Sequence, residues 1–158
     1  MKKITDILGL KEKESAAVAE KLNELLANYQ VFYQNLRGFH WNIKGDRFFV
    51  LHAKFEELYN DAVMKIDEIA ERILTVGGKP LHTFEDYLKV SSIKPAKDKT
   101  DAESTMSVTL DNVAALIKLE REVLPLAEAA EDEGTLALIS DYISQKEKLV
   151  WMLTSFMK

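Results

Sequence analysis

Apolar residues recur at alternating steps of four and three along most of this chain, the spacing that returns side chains to one face of an α-helix. Val18, Leu22, Leu25, Tyr29, Phe32, Leu36 and Phe39 form the first run, which predicts a long amphipathic helix over about residues 14–41. Leu51, Phe55, Leu58, Ala62, Ile66, Ile69 and Ile73 form the second and predict a helix over about residues 47–75. A third run, Met106, Leu110, Val113, Leu116, Leu119 and Val123, and a fourth, Leu136, Ile139, Ile143, Val150, Leu153 and Met157, complete the pattern. No segment alternates with the period of two that a half-buried strand requires.

Polar and breaker residues set the expected boundaries. Gly45 and Asp46 supply a stop and an N-cap between the first two helices, and so short a connection makes those helices antiparallel neighbours. Gly77 and Gly78 end the second helix, and about two dozen residues then pass before the third, long enough to hold structure of their own. Thr83 with Asp86 predicts a short capped helix inside that crossover, and Thr100 with Glu103 a capping box that opens the third long helix. Pro125 should kink or end that helix, and Asp132, Glu133 and Gly134 mark the last boundary. An all-α, four-helix bundle follows, with short first and third connections and one long crossover. That layout fits the ferritin-like topology better than a simple up-down-up-down bundle.

The second helix carries more than a core stripe. With Leu51 at zero and about 100° per residue, its core positions fall between about 340° and 60°, while His52, Glu56, Asp67 and Glu71 fall between about 100° and 200°. Lys54, Glu57, Asp61, Lys65, Glu68 and Arg72 occupy a third sector and read as an ordinary solvated stripe. Phe49, Tyr59, Val63, Met64, Ala70 and Leu74 accompany the ligand-type residues, so that sector is a second sticky face. Yet His52 and Glu71 are about 28 Å apart along the axis, too far to share an ion within one chain. An antiparallel copy related by a two-fold axis near residues 61 and 62 would bring His52 and Glu56 of one chain beside Asp67 and Glu71 of the other, giving two identical sites per dimer.

His40 and Trp41, at the end of the first helix, join this set. Imidazole and carboxylate ligands without sulfur suit iron, manganese or zinc, and several carboxylates favour a trivalent product such as Fe(III). Asp67 and Glu71 are like charges one turn apart, a conflict that a cation removes. Trp41 reads either as packing or as an electron donor beside a metal, and His82 as a loop residue. No Glu-x-x-His pair is present, so a di-iron site of the usual intra-chain bundle type is not expected.

Composition narrows the classes. The chain has 158 residues, 47% of them hydrophobic, and no cysteine, which suits one domain over 1–158 with a sizeable core and excludes disulfides and thiolate ligation. No stretch has the length and apolarity of a membrane span, and the N-terminus has no apolar signal region, so a cytoplasmic protein is expected, nucleoid-associated if it meets DNA at all. A net charge of −5 argues against a generally basic nucleic-acid surface.

His40-Trp41, then His52, Phe55-Glu56-Glu57-Leu58-Tyr59 and Asp67-Glu68-Ile69-Ala70-Glu71-Arg72 resemble the Dps proteins, or miniature ferritins. The four-helix layout with its short crossover helix extends the resemblance over essentially the whole chain. It implies a homo-oligomeric shell of twelve subunits, with a ferroxidase centre at each dimer interface. There Fe(II) is oxidised, preferentially by hydrogen peroxide, and the ferric mineral is stored inside. It also implies that His40, His52 and Glu56 come from one subunit and Asp67 and Glu71 from its two-fold mate. Glu56 departs from the family, which usually has Asp there. Members that bind DNA often use lysine-rich terminal extensions; this chain offers Lys2, Lys3, Lys11, Lys13 and Lys158. Twelve copies at −5 each carry a formal charge of −60, so weak or absent DNA binding is expected at physiological salt. Glu131, Asp132, Glu133 and Asp141 are candidates for the acidic cation pores of such shells, and equally for acids at a helix N-terminus. The alternatives are a DNA-condensing or structural shell with a vestigial metal site, and a dimeric oxidase that stores nothing.

Overall fold

Four long helices and two short ones account for the regular structure, in a computed structural model that describes residues 2–158. They are α1 (Ile4–Leu8), α2 (Glu12–Asn42), α3 (Phe48–Thr75), α4 (Phe84–Val90), α5 (Ala102–Ala129) and α6 (Glu133–Phe156), with no strand among the described residues. α2 packs on α3 and α5, and α5 on α6. Each long helix turns its apolar stripe inward: Leu22, Leu25 and Leu36 of α2 meet Leu51, Phe55 and Ile69 of α3, with Val113, Leu116 and Ile139 closing the core. No helix among the described residues is long and apolar enough to cross a membrane.

The first connection is set by Gly45, whose φ of 105° is open to few side chains. Phe48 N–H then donates to the Gly45 carbonyl as α3 begins. Asp46 does not cap this helix; Arg47 holds the N-cap position without a side-chain bond. The crossover runs along α2, pinned by a ladder of asparagines. Asn23 Oδ1 accepts from Leu81 N–H, Asn28 Oδ1 from Ile93 N–H and Asn35 Oδ1 from Ala96 N–H, at 2.8–2.9 Å. Thr83 caps α4 by accepting from Asp86 N–H, as its spacing predicts.

Three other boundaries depart from expectation. Asp101, not Thr100, caps α5, accepting from Ser104 N–H at 2.8 Å. α5 does not end at Pro125 but runs through it to Ala129, since an exposed proline forfeits one hydrogen bond where neighbouring turns remain packed. α1 falls before the first predicted helix, where five residues are too few to establish a period.

The largest departure concerns the stripe read as solvated. Its Lys65, Glu68 and Arg72 span the seam between α3 and α6. Lys65 is 4% exposed and donates to Asp61 at 2.5 Å and to Gln145 at 2.7 Å. Tyr142 donates to Glu68, and Arg72 to Asp132 and Thr135. Long polar side chains close a seam where the helix backbones lie farther apart.

Candidate metal centre

His40 stands in the last turn of α2 and His52 in the second turn of α3, facing each other across the short connection. Their rings stack with centroids 3.8 Å apart and planes 17° from parallel. Each holds the other: His40 Nδ1 donates to the His52 carbonyl at 2.7 Å, and His52 Nδ1 donates to the His40 carbonyl at 2.8 Å. A carbonyl can only accept, so each Nδ1 carries a proton, and each imidazole in its neutral form offers its lone pair at Nε2.

The chain termini of the helices explain half of this clamp. A carbonyl in the last turn of a helix has no intrahelical partner. The amide that would have continued α2 onto His40, that of Lys44, donates instead to the Thr100 carbonyl at 2.8 Å. His52 fills the vacant position. A backbone carbonyl on Nδ1 is the outer-shell partner that fixes tautomer and ring orientation in histidine metal ligands.

Aromatic rings bracket the pair. Phe48 stacks on His52 at 5.0 Å and 21°, and Tyr59 meets His40 edge-on at 5.3 Å. Tyr59 in turn meets Tyr33 at 6.2 Å, and the Arg37 guanidinium lies over both Tyr33 and Trp41. Trp41 itself is 60% exposed, so packing within its own chain does not account for it.

The carboxylates remain apart. Glu56, Asp67 and Glu71 are exposed, with no side-chain hydrogen bond or ion pair among the described residues. No group of three or more His, Asp or Glu side chains among those residues converges on one point. A single chain therefore brings together His40 and His52 but not the five-residue set. The face that carries them is also apolar and uncovered: Phe49 is 84% exposed, Met64 60%, and Val63 and Leu74 are exposed too.

The acids near α6 have mixed surroundings. Asp132 is buried and both its oxygens are engaged, one by Thr135 N–H and Arg72 and the other by the Thr135 hydroxyl. It is the N-cap of α6, and its carboxylate is not free to face a channel. Glu131 sits in the turn at φ 56° and pairs with Lys11 at 2.5 Å. Glu133 is exposed, and Asp141 accepts from Gln145 at 2.6 Å. His82, in the loop, is exposed.

Sequence reasoning missed a polar group in the bundle core. Lys146 and Glu120, both buried, pair at 2.7 Å, and Tyr29 donates to the same Glu120 oxygen at 2.9 Å. Burial pushes the Glu120 carboxyl up, opposed by the Lys146 charge and its hydrogen bond, and burial lowers Lys146. Tyr29 and Tyr142 are both raised well above an ordinary phenol, chiefly by burial and further by Glu120 and Glu68 respectively. The available signal was negative: Glu120 and Lys146 fall beside apolar positions of their helices.

A ferritin-like domain model matches residues 19–158. The DNA protection during starvation protein of Porphyromonas gingivalis is 47% identical over 99% of this chain and 98% of its own length. The DNA protection during starvation protein 2 of Bacillus anthracis is 39% identical over 89% and 96%. Among solved structures, a Dps protein from Vibrio cholerae O1, described as a member of a broad superfamily of ferritin-like diiron-carboxylate proteins, superposes with a TM-score of 0.93 at 53% identity, covering 94% of each chain. A Dps protein from Bacillus brevis gives a TM-score of 0.90 at 38% identity, over 94% of this chain and 99% of its own.

Proposed function

The chain belongs to the Dps branch of the ferritin-like family, and on that premise we propose that it is a ferroxidase and iron-storage protein. It assembles as a dodecameric shell, oxidises Fe(II) preferentially with hydrogen peroxide, and keeps the ferric mineral inside.

One observation carries this reading: two histidines, each held by an Nδ1–H bond to the other's carbonyl, adjoin the uncovered face of α3 that bears three exposed, unpartnered carboxylates. A two-fold mate across that face supplies Asp67 and Glu71 to His40, His52 and Glu56 and covers Phe49, Val63, Met64 and Leu74. The substrate Fe(II) accepts imidazole and carboxylate together, and the carboxylates favour the Fe(III) product. Two ferrous ions give up one electron each; the peroxide O–O bond breaks, and its oxygens leave as water after taking up two protons. Consuming Fe(II) and peroxide together limits hydroxyl-radical damage. Trp41, exposed beside the site, is an auxiliary electron donor for stray oxidising equivalents. Glu133 and Asp141 are the acids best placed to line a cation entrance, with Glu131 held by Lys11.

The protein works in the cytoplasm, and its acidic balance keeps DNA binding weak or absent at physiological salt. The relatives' name, DNA protection during starvation protein, supports a second reading, a DNA-condensing shell with a vestigial site. Anaerobic Fe(II) loading followed by peroxide separates the two: ferric absorbance rises faster than in protein-free buffer for a ferroxidase and no faster for a vestigial site. Light scattering at a mass near twelve chains supports storage, whereas two chains leave no cavity.

A further inference from the structure

Phe48 is the first residue of α3, one helical turn before His52 on the same side of the helix. Its ring is nearly parallel to the His52 imidazole, 21° from coplanar at a centroid separation of 5.0 Å, the offset-stacked geometry that aromatic pairs favour. His40 covers the other face of the same imidazole at 3.8 Å. The His52 ring is therefore sandwiched between two rings and tied at Nδ1, with only the edge that carries Nε2 left for a ligand.

The three restraints act on different motions. The Nδ1 bond to the His40 carbonyl selects the tautomer and one direction in the ring plane. The His40 ring blocks rotation toward α2. The Phe48 ring blocks rotation the other way. Its neighbour Phe49 cannot substitute, because it is 84% exposed and meets Phe48 rather than the imidazole. Gly45 fixes Phe48 in turn, since the Phe48 amide donates to the Gly45 carbonyl as the helix starts.

We propose that Phe48 is a positioning residue for metal binding: its ring holds the His52 imidazole against His40 with Nε2 presented for coordination. The inference rests on the ferroxidase reading of the His40 and His52 pair, but it concerns binding before any oxidation. A side chain of equal hydrophobicity without a flat ring face fills the space and leaves the imidazole free to turn, so the ring, not the volume, is what matters.

The test uses the assembled wild-type protein, Phe48→Leu, Phe48→Tyr and His52→Ala, with Zn(II) as a redox-silent probe titrated by calorimetry. Phe48→Leu is expected to weaken Zn(II) binding by about tenfold, the scale of losing an outer-shell partner, and Phe48→Tyr to restore it. Histidine ¹⁵N spectra of the metal-free proteins should show the His52 Nδ1–H tautomer in wild type and Phe48→Tyr and an averaged tautomer in Phe48→Leu. Where Phe48→Leu fails to assemble, Phe48→Met takes its place in both measurements. Wild-type Zn(II) affinity and an unaveraged tautomer in the leucine or methionine variant overturn the proposal. If His52→Ala binds Zn(II) as wild type does, the histidine site itself is wrong and the ferroxidase reading falls with it; loss in His52→Ala with no loss in Phe48→Leu removes Phe48 alone.

Discussion

His40 and His52 each donate Nδ1–H to the other's backbone carbonyl, so neither imidazole is positioned independently of its partner. Removing one ring releases the other from its stack and from one of the contacts that hold its helix. Ligands that act as a unit show non-additive losses. His40→Ala and His52→Ala should therefore each abolish the fast phase of peroxide-driven ferric absorbance nearly as completely as the double variant. A double variant that loses the product of two modest single effects would show that the rings act separately.

Arg72 and Gly134 form a second coupled pair. The guanidinium that reaches Asp132 and Thr135 lies so close to Gly134 that an added Cβ would fall 2.7 Å from Nη2. Glycine to alanine in a helix usually stabilises by about 1 kcal/mol. Here Gly134→Ala should give no gain or a net loss, because the guanidinium is displaced from a buried carboxylate. In an Arg72→Ala background the same change should stabilise. Denaturant unfolding of the four proteins at one fixed concentration tests this reversal of sign.

The buried pair Glu120 and Lys146 makes a sharper demand on stability. Lys146→Met leaves a carboxylate without its cation in the core, a loss of about 3–5 kcal/mol for a broken buried pair. Adding Glu120→Gln should recover much of it, since a neutral amide does not need the ammonium. A double variant no more stable than Lys146→Met alone would mean that Lys146 contributes by packing rather than by charge.

These polar cores mark where the sequence stopped being legible. Four long helices, the crossover and the α4 cap followed from period and capping alone, because burial of an apolar stripe dominates the choice of helical face. That α3 has a second face outside the core was also legible, since Glu56, Asp67 and Glu71 are set apart in angle from the core stripe and are exposed. Lys65, Glu68 and Arg72 misled because charge at a helical position normally means water. Long side chains can instead bridge a gap between helices, and only the partners on α6, Gln145, Tyr142 and Asp132, reveal that they do. The reciprocal clamp was illegible for a different reason: it depends on the Lys44 amide turning away to Thr100, a backbone detail that residue types do not encode.

Tyr142 sets an alkaline limit. Its phenol is raised above the ordinary value by burial, then by its hydrogen bond to Glu68. Above about pH 10, the ordinary phenol value, the unfolded chain loses this proton while the folded chain retains it. The folded state then binds more protons, so stability falls as pH rises. Below that pH the contribution is fully present. Tyr142→Phe should flatten the decline in unfolding free energy between about pH 10 and 11. An unchanged slope in that variant would assign the decline to other groups, Tyr29 first among them.

The proposed division of ligands between chains leads to the most discriminating expectation. Chains carrying His40→Ala and His52→Ala lack every imidazole ligand, and chains carrying Asp67→Ala and Glu71→Ala lack the carboxylates that a mate would supply. Each variant alone forms only damaged sites. In a mixed two-fold dimer, one site combines both damaged halves, while the other combines the intact histidines of one chain with the intact carboxylates of its partner. Random reassembly of equal amounts makes half the dimers mixed, so about a quarter of wild-type fast-phase amplitude should return. Co-refolded mixtures measured against the separately refolded variants provide the comparison. Recovery near that level requires a shared site, because no chain in the mixture has a complete ligand set of its own. No recovery, with native mass spectrometry confirming mixed assemblies, would show that the two damaged halves do not complement across a two-fold axis and would overturn the shared site.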